Sequence, residues 1–406
     1  MKQLIFLLTT IISFLSFSQN PNSWVKKNDF SGFKREQALA ITIVDKAYVG
    51  TGVDTSETVL NDWWEYESGT DTWTQKANVP GAPRRCAIGF GLNNKGYVGT
   101  GVDNSEAQVG NKLFDFHEYD PVTNSWTAKT NFPGNGGLGI YYATSFIVDN
   151  KGYVCGGKTG PSAYTSEMWE YKPLIDTWVQ RAYFPGGARY NMTSVGIGIN
   201  GYVGLGTNFD TYMNDWWKYE VGTNTWEQVS NFPGGYRGGA CAFSVVGKGF
   251  VSCGTNGGPK KDTYEYNPTT DIWSPRADYG GSERKQAICF VIGNRAFLGT
   301  GSGTGGKKNS MHEYISLYTA SIEDLEKEIA VYPTVSSDKI TIQFPSSYSY
   351  SKFILLDETG RIVRSEKITN TSFELYKESL NSGRYTIQFI SDEGMPSLKQ
   401  TLIFTN

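Results

Sequence analysis

Tyr66-Glu-Ser-Gly-Thr-Asp-Thr-Trp73 is a stretch that returns along the chain. Tyr119 to Trp126 reads YDPVTNSW, Tyr171 to Trp178 YKPLIDTW, Tyr219 to Trp226 YEVGTNTW and Tyr266 to Trp273 YNPTTDIW. Each copy sets an aromatic on either side of a polar turn of Gly, Pro, Asn or Asp, which is a hairpin signature. A second piece recurs upstream: Tyr48-Val-Gly-Thr-Gly52, Tyr97-Val-Gly-Thr-Gly101, Tyr153-Val-Cys-Gly-Gly157, Tyr202-Val-Gly-Leu-Gly206, Phe250-Val-Ser-Cys-Gly254 and Phe297-Leu-Gly-Thr-Gly301. The Trp advances by 53, 52, 48 and 47 residues. A period of roughly 40 to 50 residues with four short strands per copy predicts a β-propeller.

Working outward, the sixth copy starts at His312-Glu-Tyr314 but has no Trp. The missing piece stands at the other end, where Asn22-Ser23-Trp24 matches Asn124-Ser125-Trp126. A ring of six blades whose last blade takes its outer strand from the N-terminus accounts for both, and leaves no free sheet edge. The propeller is expected over residues 19–318. Residues 1–18 carry Lys2, the apolar run Leu4 to Phe17 and Ser16-Phe-Ser18, the pattern of a secretory signal peptide.

Composition agrees with an all-β chain. Glycine numbers 47 of 406 residues, against the ~7% that is usual. Lys plus Arg is 37 and Asp plus Glu is 40, so the net charge is −3. That balance gives no electrostatic reason to expect nucleic acid or an acidic membrane surface as partner. The five Cys form no CxxC or Cys/His cluster and read as buried thiols, with Cys241–Cys253 the one bridge to test.

The repeat resembles the Kelch family, whose marks are a double glycine, a Tyr and a following Trp. Only Gly156-Gly157 is a true double glycine; the other copies read Gly-x-Gly or Cys-Gly. The resemblance implies a six-bladed propeller and no single function, since such propellers include enzymes, ligand sensors and protein-binding scaffolds.

After a charged linker, 319–328, the period stops. Residues 329–406 carry alternating strands with a Glu-Thr-Gly and a Ser-Gly turn, predicting a small β-sandwich. Val331-Tyr-Pro333, Asp357-Glu-Thr-Gly-Arg361 and Leu380-Asn-Ser-Gly-Arg-Tyr385 resemble the C-terminal sorting domain of type IX secretion cargo, although Thr334-Val335 replaces the usual Asn-Pro. That resemblance implies passage across the outer membrane through the type IX machinery and display at the cell surface.

Candidate chemistry is sparse. His117 and His312 share one repeat coordinate, which points to a structural slot and not to a copper centre or a His-based triad. Gly301 to Gly306 fits GxGxxG but no helix follows, so the phosphate-binding mechanism is missing. Asp62, Asp115, Glu167, Asp215 and Asp262, with Ser310 in the last copy, recur before the repeat Tyr and read as turn residues. Thirteen residues before each second-strand aromatic stand Arg35, Arg84, Ile140, Arg189, Arg237 and Arg284. Five Arg opening the innermost strands are expected to face a common mouth and to take a carboxylate ligand. The expectation is therefore an exported binding module for an acidic glycan, sugar acid or protein face, with no cofactor, no metal and no catalytic residue assigned. The alternatives are a sialic-acid mutarotase-like enzyme, with Glu36 or Glu283 beside the Arg residues as acid/base, and a purely structural surface protein.

Overall fold

The computed structural model describes residues 22–104, 111–317, 330–343, 350–359, 361–368, 372–378, 380–391 and 396–405. The expected signal segment and linker lie outside the described residues. Six four-stranded antiparallel sheets follow one another around an axis. Blade 1 runs Leu39–Ile43, Lys46–Gly50, Trp63–Glu67 and Thr72–Lys76 from the inside outward. Blades 2 to 5 repeat that order, starting from Ile88–Leu92, Thr144–Val148, Thr193–Ile197 and Cys241–Val245. Blade 6 contributes Ile288–Ile292, Arg295–Gly299 and Met311–Ile315, and its outer strand is Ser23–Lys27 from the N-terminus, with Trp24 opposite Tyr314.

The recurring hairpin is an outer-edge lock. Tyr66 faces Trp73 across two strands with ring centroids 4.6 Å apart, and the other copies repeat the pair. Between them, Asp71, Asn124, Asp176, Asn224, Asp271 and Asn22 adopt positive φ, which short polar side chains tolerate. Each accepts the hydroxyl of its own Tyr, at 2.7 Å for Asp71 and 3.0 Å for Asn22. Each also accepts a backbone N–H of the preceding blade, as from Ala77 to Asn124 at 2.9 Å. Every such Trp indole but that of Trp73 then donates backward, Trp126 to the Ala77 carbonyl at 2.9 Å and Trp24 to Ala277 at 3.1 Å. The N-terminal copy makes the same bonds as the internal ones, so the ring closes by repeating its own motif.

Two inner rings of backbone bonds join the blades. The final glycine of each Tyr-Val-Gly piece donates to the carbonyl at the Arg coordinate of the next blade, from Gly52 to Arg84 at 2.8 Å through Gly301 to Arg35 at 2.8 Å. These glycines sit at φ between 80° and 110°, and a Cβ on Gly52 would lie 2.7 Å from the Glu36 carbonyl. Both facts exclude a larger residue. Nearest the axis, Gln37, Cys86, Tyr142, Asn191, Gly239 and Gln286 form a closed circle, each donating its N–H to the preceding member's carbonyl at 2.9–3.2 Å.

Beyond the propeller, eight strands form a three-stranded and a five-stranded sheet. Ile340, Ile342, Phe353, Leu355, Leu375, Ile387, Phe389 and Leu402 are buried together as their core. Tyr385 donates its hydroxyl to the Asn381 carbonyl at 2.8 Å, pinning the Leu380-Asn-Ser-Gly-Arg turn.

Candidate functional site

The five Arg do not face the mouth. Arg35, Arg84, Arg189, Arg237 and Arg284 are each 0–2% exposed, folded back into their own blades. Four of them grip the recurring acid with both guanidinium arms: Arg35 on Asp62 at 2.6 and 2.6 Å, Arg84 on Asp115, Arg189 on Asp215 and Arg237 on Asp262. Arg284 meets Ser310 instead, at 3.0 Å. A second bond runs from each Arg to the carbonyl sixteen residues on, such as Arg237 to Cys253 at 2.9 Å. Four lie over an aromatic from the preceding blade, as Arg284 over Tyr279 at 4.4 Å. Blade 3 has neither partner in the usual form: Ile140 replaces Arg, and Glu167 takes the Asn135 N–H at 3.0 Å and the Trp169 indole at 2.9 Å. The two terminal nitrogens of these guanidinium groups are engaged, although the buried Nε of Arg189 and of Arg237 has no partner, and the ties stabilise the blade. The acids read as turn residues are their counter-ions, and Asp115 shows it. Burial would raise its carboxyl, but hydrogen bonds from His117 and Arg84 outweigh that and hold it well below the usual range.

The histidines stand where structural roles are expected. His117 is 3.0 Å from Asp115, and His312 Nδ1 is 2.9 Å from the Tyr279 hydroxyl. Among the described residues no cluster of His, Cys, Asp and Glu is placed to hold a metal ion. Ser302–Gly303 pairs with Gly306–Lys307 as a small hairpin in place of a phosphate loop. All five cysteines are free thiols, Cys241 and Cys253 included. The thiol that couples to Cys241 is Cys289 of the next blade.

The mouth is lined one and two residues beyond the Arg coordinate. The axial circle forms its floor: Gln37 donates to Gln286 at 3.1 Å, and the Cys86 thiol lies 3.2 Å from Gln37. The rim is Glu36, Arg85, Tyr141, Tyr190, Gly238 and Lys285, each paired with the loop that follows its Tyr-Val-Gly piece. The rim carries five residue types over its six positions, with Tyr twice, and it is charged unevenly. The Glu36 carboxylate accepts the Ser302 hydroxyl and lies 3.9 Å from Lys307. Its charge reaches Cys86 and Tyr142, both of whose acidic protons burial holds chiefly in place, the thiol up to about 12. Glu283 is bonded to Thr304 in an exposed loop.

Opposite lies a different sector. Lys158 extends over the rings of Tyr190, Tyr141 and Tyr164 at 4.8, 5.6 and 5.8 Å. Burial lowers its ammonium below the ordinary lysine value. Arg85 gives one bond to Gln37 at 3.2 Å, and its buried Nε has no partner. Sequence reasoning passed over both, because neither residue type recurs at its position in the other blades.

A six-bladed all-β propeller with an oriented, charged mouth and a small C-terminal β-sandwich defines the class. Residues 330–404 match the family described as secretion system C-terminal sorting domain, and that domain marks the chain for type IX export to the cell surface or the medium. No curated protein sequence matches the chain. Solved structures do match, 414 chains in all, among them the structure of YjhT. It aligns with a TM-score of 0.61 at 16% identity, over 70% of this chain and 95% of that one, which is a likeness of fold. No helix among the described residues is long and apolar enough to cross a membrane.

Proposed function

We propose that the chain is a surface-displayed binding module whose propeller takes an acidic ligand at the axial mouth. The observation that carries the reading is the pair of rim cations, Arg85 and Lys158, neither of which has an ion-pair partner among the described residues. Four of the five buried Arg of the repeat are answered by carboxylates, so two cations beside the axis without one favour an anion from outside. The test is a glycan array probed with the full chain at low and moderate salt. Retention of carboxylated glycans, weakened by salt, supports the reading. Equal retention of neutral glycans, or none of any kind, refutes it.

Glu36 favours a second reading. In this reading Glu36, at the rim and bonded to Ser302, would be the proton acceptor for a bound sugar acid, as a mutarotase-like enzyme requires. In that case Glu36→Gln abolishes anomer interconversion, followed by NMR, while binding persists.

A further inference from the structure

We infer that the sector of the mouth formed by blades 2, 3 and 4 is a subsite for a carboxylated saccharide, held by Arg85 and Lys158 and laid on a strip of aromatic faces. The inference rests on the proposed mouth reading and gives it a ligand class and an orientation.

Three observations converge. The first is the cations. Arg85 and Lys158 both act on the Cys86 thiol, against the single Glu36 carboxylate, so two cations and one anion meet over one region of the floor. Among the described residues no carboxylate lies within ion-pair distance of Lys158, which is held among aromatic faces, and the Arg85 Nε is a buried donor without a partner, as are those of Arg189 and Arg237. A buried, unmade charge-assisted bond is costly, and an arriving carboxylate would complete it.

The second is the strip. Tyr141 meets Tyr142 at 5.7 Å and Tyr142 meets Tyr190 at 5.8 Å. Tyr190 stacks on Tyr164 at 5.1 Å with planes 17° apart, and Phe209 follows at 5.3 Å. Phe209 is 62% exposed at the outer end, while Tyr141 is buried at the inner end. The strip therefore runs from the axis to open solvent, which suits a chain of rings more than a single small acid. The C–H face of a pyranose lies well against the negative face of an aromatic ring, and water leaves both surfaces.

The third is position. Three of the five rings, Tyr141, Tyr142 and Tyr164, belong to the blade where the repeat breaks: Ile140 stands at the Arg coordinate, after the extra turn Asn135–Gly137. The next two residues are Tyr141 and Tyr142, where other blades carry Glu36-Gln37, Arg85-Cys86 or Lys285-Gln286. An acidic peptide could meet the two cations but has no flat apolar face for the strip. The saccharide satisfies both halves.

The experiment is calorimetric titration of the full chain with a galacturonate trisaccharide, the matching neutral trisaccharide and an Asp-rich peptide. Variants are Lys158→Met, Arg85→Gln and Tyr164→Ala, with Lys285→Gln across the mouth as a control and melting temperature checked for each. The inference expects the galacturonate alone to bind, and Lys158→Met or Arg85→Gln to weaken it roughly ten- to hundredfold. It expects Tyr164→Ala to weaken it less, and the control to change little. Galacturonate binding that depends on Lys285 and not on Arg85 or Lys158 overturns the subsite and leaves the mouth reading standing. Binding of the peptide in preference to the saccharide overturns the ligand class. Absence of binding by every acidic probe overturns both.

Discussion

Replacing Arg237 with Ala should unfold the propeller sooner, and should do so without any ligand present. The guanidinium spans Asp262 at 2.6 and 2.8 Å, donates to the Cys253 carbonyl at 2.9 Å and to the Gly234 carbonyl, and rests 4.7 Å over Phe232. It is 0% exposed. Removing one partner of a buried pair costs about 3–5 kcal/mol, because the other charge is left without an answer. Asp262 is 32% exposed and water can partly solvate it, which argues for the lower end. The two carbonyls lose donors and the side chain leaves a void, which act in the other direction. About 3 kcal/mol is the expected loss, and with the entropy of a large domain that lowers the melting temperature by roughly 6–12 °C. The assay is thermal and urea unfolding followed by Trp fluorescence. Arg237→Ala/Asp262→Ala should be less destabilised than the two single losses added together, because the pair is coupled. If Arg237→Ala melts within about 0.5 kcal/mol of the parent and instead loses affinity for an acidic ligand, the Arg is a ligand anchor and the tie is wrong.

The lock at the N-terminus should behave likewise. Trp24 touches Tyr314 at 5.0 Å and Tyr279 at 5.1 Å, so Trp24→Ala should cost about 3 kcal/mol, and an unchanged urea midpoint would exclude closure through this strand. Stability should also fall on mild acidification. Burial, helped by Lys26 and Arg284, pushes the His312 imidazole down to about 4, below its unfolded value of about 6.5. The unfolded chain therefore binds the proton first. This contribution is complete above pH ~6.5 and is lost as pH falls toward about 4, amounting to about 2 kcal/mol after allowing for solvent screening. His312→Gln should flatten that slope in urea titrations between these pH values. Finally, a chain ended after Tyr318 should keep its propeller fold but lose type IX export, read as absence from the surface and medium of cells expressing it; normal display would refute the role of 330–404.

Much of the fold was legible because aromatic pairs across a turn must repeat with the blade. Tyr66 with Trp73 sets the outer hairpin, and Asn22-Ser-Trp24 shows by likeness where the ring shuts. The site was legible only as far as its coordinate. Counting back to Arg35, Arg84, Arg189, Arg237 and Arg284 found positions beside the axis, but spacing along a strand does not say which way a side chain is drawn. A signal was present. A recurring cation and a recurring acid in the same repeat, with Ile140 and Glu167 departing together, are what mutual neutralisation leaves in a sequence. Read as a pair, they point inward.

That argument extends to what the mouth is for. A feature that recurs around the ring serves what the blades share, which is to hold their neighbours: the Tyr–Trp pair and the glycine at positive φ, in every blade, and the buried Arg, in five of six, are of this kind. A ligand breaks the symmetry of the ring, so the groups that meet it belong to positions where the copies differ. Glu36, Arg85, Tyr141, Tyr190, Gly238 and Lys285 share one coordinate and have five different side-chain chemistries. Their backbones are fixed by the same pairing to the adjacent loop, so the scaffold is constant while the chemistry is free to vary. The most altered blade places two tyrosines where three others place a charged residue and a small or amide one, and beside it Lys158 and Arg85 have no counter-ion among the described residues.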